Sequence, residues 1–250
     1  MRFKIDDLPT LVKDMYKTQT DWRNKNYKKT LLNHSSQIEN IFETFGVFDE
    51  WFSCLHNDDV AMKLLPEMYF DAYASITYSC FAMYKYAYMC LRSELETALR
   101  LIFFSNHHVE FNWWLKNTHW YMKRNPDQVW GRDYTYFTLL DKVKEFDGEC
   151  EENDQLFRGS ENIRRVYARL SRYIHSGADF FQTEPYRLSP NYNLGKVNQW
   201  SDMWKRVQCY INILLLLSYI HIIKDSNDSY NKIIELSISD NYKGILRNMT

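Results

Sequence analysis

Glycine and proline are scarce, at 7 and 5 of 250 residues. A β-sandwich or barrel needs turn residues at short intervals, so this scarcity points to long helices instead. No glycine-rich phosphate loop, Gly-x-Ser-x-Gly elbow or dinucleotide fingerprint occurs in the chain, and no cofactor is expected. An excess of one charge is missing too: 31 Lys and Arg stand against 32 Asp and Glu, a net charge of −1. That balance argues against a nucleic-acid-binding surface over the whole molecule, so any such contact must be local.

Cysteine is sparse and unpatterned. Cys54, Cys80, Cys90, Cys150 and Cys209 are odd in number and form no CxxC pair. Neither a disulfide framework nor a structural zinc site is expected, and a reducing, cytoplasmic setting fits best. The N-terminal Met1-Arg2-Phe3-Lys4-Ile5-Asp6-Asp7 lacks the apolar run of a signal peptide. The most hydrophobic stretch, Tyr210 to Ile223, contains Asn212, Ser218 and His221. It reads as a buried core helix and not as a membrane span, so no membrane contact is expected.

What the chain does have is aromatic side chains, 17% of residues, carried by 19 Tyr, 15 Phe and 8 Trp. These bury large areas and predict a tightly packed interior. At 250 residues one domain is expected. The reading is an all-α bundle of about six to eight helices, with no linker that splits it.

The first 60 or so residues read as helical, with Ile38, Ile41, Phe42 and Phe45 at i, i+3, i+4, i+7 spacing and Gly46 as a break. Pro66 reads as the start of a helical run that reaches about Ser105, either unbroken or divided near Ser75 to Ser79. A short helix with an irregular aromatic connection is expected over residues 106–134, then a helix from Tyr136 to Phe146. The acidic stretch Glu149 to Asp154 reads as a solvated loop. Helices are predicted over Gln155 to Ser176, stopped by Gly177, over Gln199 to Ile223, and over Tyr230 to Ser237.

Two of these helices carry polar residues toward the interior. Leu91, Leu95, Ala98, Leu101 and Ile102 form an apolar stripe that includes Glu94. A carboxylate there needs a partner or a proton. Arg92, Glu96 and Arg100 lie at i, i+4, i+8 on another line, the spacing of an exposed ion-pair ladder. On the second helix, Tyr167, Ser171 and His175 run at i, i+4, i+8 along the stripe of Ile163, Val166, Leu170 and Ile174. His175 falls in the last turn, where the helix dipole favours its charged form, and Glu94 is the expected partner. The plain alternative is a structural histidine that locks two helices together. Arg164, Arg165, Arg169 and Arg172 give this helix a local positive charge. They suit phosphate groups, or pairing with Glu149, Glu151, Glu152 and Asp154.

These two segments, LRSELETALRLIFF and YARLSRYIHSG, resemble the HEPN-like superfamily of helical bundles over about residues 66–180, with the N- and C-terminal helices packed on that centre. RNA-cleaving members carry Arg, four to six residues, then His on one helix. Arg169 and His175, with five residues between them, meet that spacing. The resemblance implies metal-independent RNA cleavage by Arg169 and His175 in a homodimer, with Arg92, Glu94, Glu96, Tyr167, Ser171 and Arg172 in support. Such chemistry is sound: a histidine near neutral pKa can move the proton of a ribose 2′-OH, and an arginine can stabilise the developing phosphorane. The residue after the arginine departs from the pattern. Active members carry a polar side chain there, and this chain has Leu170. The expectation is therefore a non-catalytic interaction or regulatory protein of a bacterial phage-defence or toxin–antitoxin type system, with RNA or a protein as partner. The HEPN-type endoribonuclease is the alternative. Two lesser patterns read as packing: Trp113, Trp114, Trp120 and Trp130, and His107, His108, Glu110 and His119, whose spacing matches no metal motif.

Overall fold

A computed structural model describes residues 9–116, 140–174, 191–224 and 226–249. Among them the secondary structure is helical, with no strand. Six helices have eleven or more residues: α1 (Thr10–Phe45), α3 (Ala61–Cys80), α4 (Tyr84–Ser105), α7 (Ile163–Ile174), α8 (Leu194–Ile223) and α9 (Asn227–Ser237). Four are short: α2 (Val47–Cys54), α5 (His108–Lys116), α6 (Asp141–Glu149) and α10 (Asp240–Asn248). The all-α bundle expected from the sequence is found.

The centre is α8. From Val207 to Leu217 every residue is buried, the mark of a helix surrounded on all sides. Among the described residues it is the one helix long and apolar enough to cross a membrane, and 72% of its most apolar window is buried inside the protein. Around it pack α4, α1, α9 and α6, and α3 pairs with α4 as an antiparallel hairpin. Trp51, Trp200 and Trp204 are fully buried. Trp51 of α2 donates its indole N–H to Asn212 at 2.6 Å, and Trp200 donates to Ser75 at 3.0 Å, so these two also meet their polar need, while the Trp204 indole N–H has no acceptor among the described residues. Trp114 packs on Phe104 and Phe111. Trp120, Trp130 and His119 lie outside the described residues.

Several boundaries differ from the sequence reading, each for a local reason. α3 begins five residues before Pro66, because the Asp58 carboxylate accepts the Val60 and Ala61 N–H groups at 2.9 and 2.8 Å and caps the helix there. The division between α3 and α4 falls at Phe81–Met83, past Ser79, where Ala82 adopts φ 60°. Residues 155–162 are turns and not helix. Asp147 takes the Leu156 and Phe157 N–H groups at 2.7 and 3.3 Å. Gly159 tucks against the chain so closely that a Cβ would stand 2.4 Å from the Asn153 carbonyl oxygen. Asn162 then caps α7, accepting from the Arg165 N–H at 3.0 Å. α6 runs on to Glu149, and α8 starts at Leu194 on its cap Asn193, which accepts from the Lys196 N–H at 3.0 Å. A last helix, α10, was not foreseen. The helix start read at Tyr136 and the stop at Gly177 lie outside the described residues.

Candidate functional site

The α4–α7 contact divides the expected polar centre in two. Arg92, Glu96 and Tyr167 come together as one closed group. The Arg92 Nε meets Glu96 Oε1 at 3.0 Å, and an Arg92 amino group donates to the Tyr167 hydroxyl at 2.5 Å. That hydroxyl donates onward to Glu96 at 2.8 Å, while the guanidinium lies 4.7 Å from the Tyr167 ring centre. Arg100 adds an ion pair to the other Glu96 oxygen at 3.5 Å. Burial, with the Glu96 charge beside it, raises the Tyr167 phenol, so it stays a donor. The ladder read on α4 is thus only partly exposed and ties α4 to α7. Ser171 turns inward on its own helix and donates to the Tyr167 carbonyl at 2.9 Å.

Glu94 faces the other way, into the α4–α8 interface, with no exposed surface. The partner it has there is Gln208, whose amide donates to Oε1 at 2.6 Å, and Oε2 finds no partner among the described residues. Burial pushes its carboxyl from 4.5 to about 8, against the pull of the Gln208 bond and with help from the Asp71 charge. Burial thus favours the neutral, proton-bearing form of Glu94 far above the usual carboxylate range. The histidine expected opposite it, His175, lies outside the described residues.

Arg169 and Arg172 open onto a different feature, a cavity of about 500 Å³ walled by α4, α7 and α8. Among the described residues its cationic lining is Arg169, Arg172, Lys196 and Arg206, against the one carboxylate of Asp202. Tyr84, Tyr88 and Tyr173 form the aromatic part, and Tyr88 and Tyr173 stack with centroids 3.6 Å apart. Helical spacing builds these walls: Arg169, Arg172 and Tyr173 at i, i+3, i+4 on α7, and Lys196, Met203 and Arg206 at i, i+7, i+10 on α8. The Tyr84 hydroxyl donates to the Asn193 carbonyl at 3.3 Å and accepts its N–H at 3.2 Å, which pins the start of α8 beside the cavity. Burial raises Tyr84 to about 12 and raises Tyr88 as well, so both phenols are neutral.

Glu161, at the foot of α7, holds two of the cations. One Arg169 nitrogen lies 3.0 Å from each Glu161 oxygen, and Arg206 reaches Oε2 at 2.5 Å. The Tyr210 hydroxyl donates to the Glu161 carbonyl at 2.6 Å and fixes its backbone. The pairing foreseen between the α7 arginines and the 149–154 loop is thus made instead by Glu161 for Arg169, and Arg165 turns to the Ser160 carbonyl at 2.5 Å. Leu170 is fully buried, so the position after Arg169 faces the core and not the cavity.

Sequence reasoning singled out Arg169 and Arg172 but missed Lys196, Arg206, Glu161 and Asp202. A signal existed for three of them: Lys196, Asp202 and Arg206 are charges interrupting the first half of the most apolar helix. Thiol chemistry has little support, since burial pushes Cys80 up to about 11 and Cys90 and Cys150 up to about 12. Among the described residues no three His, Cys, Asp or Glu side chains converge as a metal site; His107 stacks on Phe103. No protein-family model, curated protein or solved structure matches this chain.

Proposed function

We propose that this chain is a non-catalytic RNA-binding regulatory protein of a bacterial defence or toxin-type system, with the α4–α7–α8 cavity as its RNA site. The observation that carries this reading is the lining among the described residues: four cationic side chains against Asp202 and the neighbouring Glu161, beside the part-exposed ring of Tyr173. Cations neutralise backbone phosphates and aromatic faces take bases, the pairing that single-stranded nucleic acid requires. The charge is local, as a chain of net −1 demands. Buried Leu170 supports a binding role, because the side chain beside Arg169 can take no part in proton transfer.

The test is fluorescence anisotropy with a short single-stranded RNA at about 50 and about 200 mM salt. Binding is expected that weakens steeply with salt and weakens further in Arg172→Ala. Absent or salt-insensitive binding refutes the reading. The ribonuclease alternative, through Arg169 and His175, draws on the place of Arg169 in the cavity wall. Incubating the same RNA with wild type and His175→Ala separates the two. Intact RNA in both is expected, and cleavage by wild type that His175→Ala abolishes would establish the enzyme instead.

A further inference from the structure

The cavity is a pocket and not a track. Its volume of about 500 Å³ falls within the roughly 300–1,000 Å³ of small-ligand pockets. A groove that follows a single strand extends over several nucleotides. Three helices wall it, with α7 and α8 both bringing cations and α4 bringing Tyr84 and Tyr88. One nucleotide with its phosphate is the portion of an RNA that such a space holds.

The charge narrows the choice further. Among the described residues the lining carries four positive side chains and one negative one, and Glu161 behind Arg169 and Arg206 offsets one more, which leaves a surplus of two. A phosphodiester brings one negative charge, whereas a terminal phosphate monoester brings about 1.5 to 2 at neutral pH and a third strongly accepting oxygen. The first turn of α8 holds no acidic residue and bears Lys196, so the partial positive end of that helix adds to the same field. Glu161 keeps Arg169 and Arg206 side by side on the wall, two guanidinium groups already spaced around one anionic group. The monoester answers more of this lining than any internal linkage does.

Resting on the RNA-binding reading, we propose that the pocket recognises the phosphorylated end of an RNA strand. The terminal phosphate meets Arg172, Lys196 and the Arg169–Arg206 pair, and the terminal base lies against the part-exposed ring of Tyr173. Anisotropy with one RNA of about eight nucleotides tests this in three forms: phosphorylated at the 5′ end, at the 3′ end, and with hydroxyls at both. Wild type is expected to bind one phosphorylated form at least about fivefold tighter than the hydroxyl form, and inorganic phosphate should compete. Arg172→Gln and Lys196→Gln, tested separately, should each narrow that gap, with melting temperatures near wild type to confirm the fold. Equal affinity for all three RNAs overturns the inference but leaves the RNA-binding reading standing. So does a gap that both variants retain, since the end is then bound elsewhere. Failure of wild type to bind any of them overturns both.

Discussion

Replacing Glu94 with glutamine isolates the energetic consequence of keeping a proton in the core. The side chain has no exposure, one oxygen accepts from Gln208, and the other has no partner among the described residues. In the unfolded chain the carboxyl ionises near its ordinary value of 4.5; in the fold, burial holds it protonated until about pH 8. The folded-state pKa is the higher, so stability from this group is full below pH 4.5. It falls as pH rises through the interval, and levels off above about 8. At about 1.4 kcal/mol per pH unit the whole interval is worth about 5 kcal/mol, of which about 3 lies between pH 5 and pH 8. Glutamine keeps the shape and the bond to Gln208 but does not titrate. Its amide N–H groups stand where Oε2 had no acceptor, a pH-independent penalty of about 1–3 kcal/mol. Urea unfolding of both proteins at pH 5, 6, 7 and 8, extrapolated to zero denaturant, gives the comparison. The difference between variant and wild type should move by about 3 kcal/mol in favour of Glu94→Gln from the lowest pH to the highest. A difference that stays flat to within about 1 kcal/mol refutes the reasoning, because it means that the ionised carboxylate finds water or a cation in the folded protein.

Two further outcomes concern the α4–α7 contact and the pocket wall. Tyr167→Phe removes the hydroxyl that links Arg92 to Glu96; their direct bond and the ring contact remain, and partial exposure weakens the loss, so about 1 kcal/mol of stability should go. A urea-unfolding loss well above about 3 kcal/mol would mean that the hydroxyl holds the helix pair alone. Glu161→Gln removes the carboxylate shared by Arg169 and Arg206 and should raise RNA affinity roughly threefold at low salt, an effect that fades at high salt. Weaker binding in that variant would show that the two arginines need Glu161 to hold them in place.

What the sequence disclosed, and what it hid, follows from how far apart the interacting residues lie. Helical periodicity is local, so the apolar stripes of α4 and α7 and the buried run of α8 could be read directly, as could the anomaly of Glu94 within a stripe. Glu94 needed a partner, but the partner's identity is set by which helix packs on that face. Gln208 lies 114 residues away, beyond the reach of any spacing rule. Boundaries failed where a side chain replaced the helix's own hydrogen bonds. Asp58 moved the start of α3, and Asp147 with Gly159 turned residues 155–162 into a folded-back loop. That loop decides the site. It sets Glu161 at the foot of α7, where one carboxylate draws Arg169 and Arg206 together from two helices. A run of arginines on one helix is an ambiguous sign, equally fit for a solvated face. It becomes an anion pocket only when a second helix brings its own cations beside them, and on α8 the sequence showed those charges but not which helix they would meet.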